Sequence, residues 1–149
     1  MQGIILIGLQ ASGKTTFYFQ QFAKTHIRLS MDMLKTRHRE NLLLHACLEA
    51  KQPVVIDNTN PTRQERGKYI KGFKTHRFEV IGYYFSANLE ACLKRNALRT
   101  GKGNIPEAGL KGTYNKLELP EYAEGFDQLY YVSIHHNHFK VEGWKHEIQ

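Results

Sequence analysis

Acidic residues, cysteines and long apolar runs are all scarce in this chain, and each shortage narrows what it is. Asp and Glu together number 14 against 21 Lys and Arg, a formal net charge of +7 with neutral histidines. A surplus of that sign draws in a polyanion or a phosphorylated substrate and speeds its encounter, without identifying it. The two cysteines, Cys47 and Cys92, lack zinc-like spacing and fall in predicted helices. They are expected to be free, mostly buried thiols in a reducing compartment, which argues against a disulfide-stapled fold. No apolar run approaches the roughly 20 residues needed to cross a bilayer, and the short apolar N-terminal stretch lacks a cleavage site. A soluble, cytoplasmic protein with no membrane partner is expected. Internal repeats and low-complexity tracts are missing too, and 149 residues make one domain with a real core rather than two.

What is present begins at the N-terminus. Gly8-Leu9-Gln10-Ala11-Ser12-Gly13-Lys14-Thr15 is a complete G-x-x-x-x-G-K-[ST] loop, and it follows Gly3-Ile4-Ile5-Leu6-Ile7, an apolar run of strand length. A strand delivers the backbone to a tight turn, and Gly8 and Gly13 let the turn wrap with its N–H groups pointing inward. Lys14 and Thr15 then open a helix whose positive end faces the same hollow. Gly8, Ser12, Gly13, Lys14, Thr15 and Thr16 are therefore the expected cradle for ATP, or another nucleoside triphosphate. Lys14 is expected to reach the β- and γ-phosphates and the Thr15 hydroxyl to hold Mg²⁺.

Four further segments read as strands: 27–30, 54–56, 78–85 and 130–134. They are continuous apolar runs rather than alternating ones, as suits parallel strands covered on both faces. Helices are expected over 14–23, 32–50, 62–73, 88–99 and 107–117. The alternation predicts a doubly wound α/β domain with a parallel five-stranded sheet, of the P-loop NTPase, nucleotide kinase-like type. Ligands in such a fold lie at the C-terminal ends of the strands. A basic, glycine-bearing link with Gly101, Gly103 and Pro106 joins two helices into a small lid, about 94–118.

Chemistry should collect where each apolar strand gives way to polar residues. Asp32 follows the second strand; it suits a base that orients and deprotonates an acceptor hydroxyl, the alternative being a plain helix N-cap. Lys35, one turn on, is a candidate for neutralising an acceptor phosphate, or ordinary surface. Asp57 ends the third strand and is expected to hold a Mg²⁺-bound water or to hydrogen-bond Thr15. Asn58, Thr59 and Asn60 suit a turn, and Thr59 or Asn60 a helix cap. Arg63 and Arg66 begin the next helix, where a cation opposes the helix dipole and so hints at an anionic ligand; Arg63 is nearer the mouth. Arg95 and Arg99 are four apart on a predicted helix, with Lys94 and Lys102 extending the basic run. That face suits a flap closing on polyphosphate.

Together these residues carry a resemblance. Val54-Val55-Ile56-Asp57-Asn58-Thr59-Asn60-Pro61 resembles the third-strand motif of the polynucleotide 5′-hydroxyl kinases, as found in the kinase domain of polynucleotide kinase-phosphatases. The P-loop, Asp32, the basic Arg95-Asn96-Ala97-Leu98-Arg99, Ile105-Pro106 and Leu119-Pro120-Glu121…Glu124-Gly125-Phe126-Asp127 match the same family, so the likeness runs from the P-loop to about residue 134. It implies transfer of the ATP γ-phosphate to the 5′-hydroxyl end of DNA or RNA, with Asp32 as general base and Arg95 or Arg99 on the donor phosphates. Lys35 and Met31 stand where family members with a clear acceptor contact have arginines. No phosphatase or ligase segment accompanies the motifs, so the protein is expected to act alone or with a separately encoded phosphatase or ligase. Two other readings remain. One is a P-loop kinase of a small metabolite, nucleotide sugar or aminoacyl-tRNA; the other is a non-enzymatic NTP-binding or nucleic-acid-binding module.

Overall fold

A computed structural model describes residues 1–101 and 104–145. The apolar N-terminal run forms β1 (Gln2–Ile7), flanked by β3 (Val54–Asp57) on one side and β4 (Glu79–Phe85) on the other. With β2 (Ile27–Leu29), β5 (Gln128–His135) and β6 (His138–Gly143), the sheet order is β2-β3-β1-β4-β5-β6. The first five strands are mutually parallel. Ile4 to Ile7 and Val54 to Ile56 are wholly buried, as a central strand covered on both faces must be. The expected parallel five-stranded sheet is there, with one strand more: β6 runs antiparallel to β5. The turn between them has His136 and Asn137 at positive φ, which an Asn tolerates and which suits a two-residue hairpin.

The helices are α1 (Lys14–Gln21), α2 (Met31–Leu34), α3 (Arg37–Ala50), α4 (Arg63–Thr75), α5 (Leu89–Ala97) and α6 (Glu107–Lys116). Two apolar layers result. On one face Phe73, Tyr69, Ile70 and Leu48 pack over Ile5, Ile7, Val54 and Ile56. On the other, Phe17, Tyr18 and Phe22 pack over Ile4, Leu6, Val55 and Phe85. Phe73 presses so closely on β1 that a Cβ on Gly3 would sit 2.5 Å from its ring. A third, smaller cluster of Leu9, Cys92 and Leu110 fastens α5 and α6 to the P-loop.

One expected helix is corrected. The segment 32–50 is two helices, because Lys35 takes φ 72° and Thr36 starts afresh as the N-cap of α3, its side chain accepting from Arg39 N at 3.1 Å. The cap of α4 is Thr62, accepting from Glu65 N at 3.1 Å, rather than Thr59 or Asn60. Asn60 instead takes φ 47° and donates to Leu6 O at 2.7 Å, tying the exit of β3 to the end of β1. Both cysteines are buried and unpaired. Among the described residues no helix is long and apolar enough to cross a membrane.

Candidate active site

Three strand exits converge at one edge of the sheet, and a cavity of about 260 Å³ opens there. It is lined by P-loop residues Gln10, Ala11, Gly13, Lys14 and Thr15, by Met31, Asp32 and Arg37, by Asp57, Asn58 and Thr59, and by Arg99 and Ile105.

The P-loop is built by conformation first. Gly13 takes φ 99°, and a Cβ there would lie 2.9 Å from the Phe139 ring. Gly8 N donates to Thr59 O at 3.0 Å, so the loop is laced to the third exit. Lys14 lies along the loop, donating to Gly8 O at 3.0 Å and approaching Ser12 Oγ at 3.4 Å. Burial lowers its pKa from the usual lysine value to about 8, against the opposing pull of Asp57. The Thr15 hydroxyl donates to Asp57 Oδ2 at 2.8 Å. Asp57 is buried and also accepts from Arg28 Nε at 2.7 Å. A buried carboxylate beside a hydroxyl is an all-oxygen donor set, and it fits a hard divalent cation that keeps waters and takes phosphate oxygens as its other ligands. Gln10 donates to Thr113 Oγ1 on α6 at 3.0 Å, while its buried amide oxygen has no hydrogen-bond partner among the described residues.

Asp32 lies in the first turn of α2, exposed on the far wall of the same cavity. Its carboxylate accepts no hydrogen bond among the described residues, and the N-cap position belongs to Ser30. The plain capping role is therefore absent. What holds α2 in place is Asn58, whose Oδ1 accepts from Met31 N at 2.9 Å. Asn58 in turn donates to Glu40 Oε2 at 3.0 Å. Glu40 is wholly buried, and its Oε1 accepts from Tyr69 OH at 2.8 Å and Arg37 Nη1 at 3.0 Å. One carboxylate thus joins α3, α4, the β3 exit and, through Asn58, the segment bearing Asp32.

Arg37 and Glu40 were not visible as site residues in the sequence. The helix expected over 32–50 hid the break that turns Arg37 towards the cavity, and Thr36, a good N-cap type, was its only signal. Lys35, at the break itself, is exposed and does not line the cavity. Arg63 does not line it either; its guanidinium pairs with Glu121 at 2.9 Å. Arg66 is wholly buried, paired through Nε and Nη2 with Glu124 at 2.8 and 3.1 Å and donating to Asn60 O at 2.9 Å. The anions that these two arginines meet are the chain's own, Glu121 at the N-cap and Glu124 at the end of the turn Tyr122–Glu124. Losing either partner of the Arg66–Glu124 pair would strand a buried charge, at a cost of about 3–5 kcal/mol.

Arg95 and Arg99 diverge rather than share a face, because α5 ends at Ala97. Arg95 reaches under the P-loop to Ala11 O at 2.9 Å and lines a second cavity, of about 450 Å³, with Ser12, Asn88, Ser133, His135 and Lys140. Arg99, beyond the helix end, lines the cavity that contains Asp32. The link between α5 and α6 is bracketed by buried Asn96, which donates to Ile105 O at 2.6 Å and accepts from Ile105 N at 2.9 Å. Lys102 and Gly103 lie outside the described residues.

The AAA domain family model AAA_33 matches residues 4–120. The chain belongs to this family. Among curated proteins the match is 27% identity over 130 residues with a bifunctional polynucleotide phosphatase/kinase of Schizosaccharomyces pombe, covering 85% of this chain and 32% of that protein. An L-seryl-tRNA(Sec) kinase of Methanococcus maripaludis is 29% identical over 136 residues, covering 78% of this chain and 52% of its own length. The chain therefore spans about a third of one curated relative and about half of the other. In fold it is similar to the Chaetomium thermophilum Kti12 structure in complex with ADP-AlF3, with a TM-score of 0.71 at 16% identity, covering 88% of each chain. The architecture is that of a kinase-like P-loop NTPase.

Proposed function

We propose that the protein is an ATP-dependent kinase that moves the γ-phosphate of a nucleotide on the P-loop to a hydroxyl held beside Asp32. One observation carries the reading: a carboxylate that accepts no hydrogen bond among the described residues shares a single cavity with the P-loop lysine and threonine. In the proposed step the acceptor hydroxyl hydrogen-bonds to Asp32. As its oxygen bonds to the γ-phosphorus, the bond from that phosphorus to the bridging oxygen of ADP breaks and the hydroxyl proton passes to Asp32. Lys14 and Arg99 offset charge on the transferring group. Thr15 and Asp57 are the residues that would hold Mg²⁺, which when bound supplies charge neutralisation on the phosphates. The second cavity, reached from Ser12 and Arg95, has room for the base and ribose of the donor.

The acceptor class with the broader support is a hydroxyl on a small molecule, a nucleotide or an aminoacyl-tRNA. The likeness to a seryl-tRNA kinase favours it. The 5′-hydroxyl of DNA or RNA is the narrower reading. It is favoured by the Asp57-Asn58-Thr59-Asn60-Pro61 string, by the polynucleotide phosphatase/kinase relative, and by Arg37, a cation on the acceptor wall. The deciding experiment incubates the protein with γ-labelled ATP, Mg²⁺ and a panel of 5′-hydroxyl DNA, 5′-hydroxyl RNA, nucleosides, sugars and seryl-tRNA. Label on one class assigns the acceptor. ATP binding with no labelled product on any member would instead favour a nucleotide-binding module.

A further inference from the structure

Arg28 is a charge that the proposed phosphotransfer does not use, yet it sits against the two oxygens most suited to a divalent cation. It comes from the edge strand β2, opposite Val55 of β3, two residues before Asp57. Its Nε donates to Asp57 Oδ2 at 2.7 Å, and its Nη2 lies 3.4 Å from Thr15 Oγ1. Its side chain is 19% exposed and that of Asp57 is 2% exposed. The Phe19 ring, 5.9 Å from the guanidinium carbon, covers the cation from the α1 side. Asp57 thus gives one oxygen to Arg28 and Thr15 together, while Oδ1 has no hydrogen-bond partner among the described residues.

The electrostatic consequence follows from counting charge. The Asp57 carboxylate faces the Arg28 guanidinium directly and the Lys14 ammonium of the same cavity, so the cluster carries no anionic surplus, in a place where water screens poorly. A hard divalent cation sheds its hydration shell reluctantly and needs a surplus of anionic oxygen to do so. A neutral pair with a guanidinium touching both candidate ligands offers no surplus. A polyphosphate on the P-loop would supply it.

We infer that Arg28 makes divalent-cation binding at Thr15 and Asp57 conditional on a polyphosphate, by balancing the Asp57 charge until the nucleotide arrives. The inference rests on the nucleotide-site reading above, and it makes Arg28 a positioning residue rather than a catalytic one. It predicts that metal and nucleotide bind together rather than metal first.

The test is a Mn²⁺ titration read by the electron paramagnetic resonance signal of free Mn²⁺, so that turnover is not involved. Wild type, Arg28→Gln and Arg28→Lys are compared without nucleotide and with a non-hydrolysable ATP analogue, after thermal melting has confirmed folding. Without nucleotide, Arg28→Gln should bind Mn²⁺ at least tenfold more tightly than wild type, and Arg28→Lys should stay close to wild type. With the analogue, and with the Mn²⁺ that the analogue binds in a protein-free titration subtracted, wild type should gain at least a hundredfold and the gap between it and Arg28→Gln should shrink to within threefold. Equal or weaker nucleotide-free binding by Arg28→Gln would overturn the inference, a weaker value meaning that Arg28 orients Asp57. Should the variant fail to fold, wild type decides alone: equal Mn²⁺ affinity with and without the analogue overturns the inference. Failure of the analogue to bind any of the three proteins would sink the nucleotide-site reading, and the nucleotide-free titration would still judge Arg28.

Discussion

Asp32 carries the proposed chemistry by what it does not do. It accepts no hydrogen bond among the described residues, and Ser30 holds the cap position of α2, so no structural role competes with that of a base. Asp32→Asn keeps the shape and removes the proton acceptor. The phosphotransfer rate should fall about 10²-fold or more, the usual range for a general base, with ATP affinity and melting temperature close to wild type. A variant that keeps its rate would move the base elsewhere, with Asp57 the next candidate. Lys14 makes a prediction of a different kind. Burial lowers its pKa to about 8, and the nearby anions only partly oppose that. Phosphate at the loop stabilises the ammonium, so bound nucleotide raises the pKa above that of the free protein. Between the two values, binding must take up a proton. Above about pH 8 the affinity for ATP should therefore weaken, by at most about tenfold per pH unit for one linked proton. Calorimetry at pH 8.5 in buffers of different ionisation enthalpy would measure the uptake directly. A buffer-independent binding enthalpy would remove Lys14 from the phosphate site.

Elements decide which neighbouring residues share a site, and here sequence and structure partly separate. The P-loop, the order of strands and the strand-end position of Asp57 were legible because each rests on a local rule: a glycine pattern, an apolar run, a boundary. The break at Lys35 was not, since a lysine with positive φ leaves no composition signal and the apolar pattern continues into α3. That one break turns Arg37, rather than Lys35, to the cavity that holds Asp32. The pairing of Arg63 and Arg66 with Glu121 and Glu124 spans 58 residues and was equally invisible. The end of α5 at Ala97 matters most for mechanism, because it sends Arg95 and Arg99 into different cavities. Arg99→Ala should slow turnover at saturating acceptor by about 10²-fold, the scale of one lost transition-state donor, with ATP affinity little changed. Arg95→Ala should instead weaken ATP binding, because Arg95 braces the P-loop carbonyl of Ala11. Equilibrium nucleotide binding measured beside steady-state rates separates the two effects. Indistinguishable variants would mean that the loop and the cavity wall act as one unit.

At the scale of the whole molecule, the sheet and the charge act together. Parallel strands bring three polar exits to one edge, and β6 backs that edge where Phe139 packs on Phe17 and Phe85. The net charge of +7 then surrounds a mouth whose acceptor side presents Arg37, with exposed Lys35 and Arg39 nearby in the chain. Glu40 pairs with Arg37 at 3.0 Å and offsets its charge, so the surplus on that side is carried by Lys35 and Arg39. The field distinguishes the two acceptor classes without any mutation. For a single-stranded polynucleotide end, each phosphate neutralised should contribute a slope of about −0.7 to log affinity against log salt. Two or three contacts would then raise the acceptor KM about five- to tenfold for a threefold rise in salt, with kcat nearly constant. A neutral sugar or nucleoside releases no counterions and should show a flat acceptor KM over the same range. Measuring KM for whichever acceptor is labelled, across 50 to 200 mM salt, tests the electrostatic half of the proposal. A flat profile for a nucleic acid acceptor would show that the basic rim takes no part in holding it.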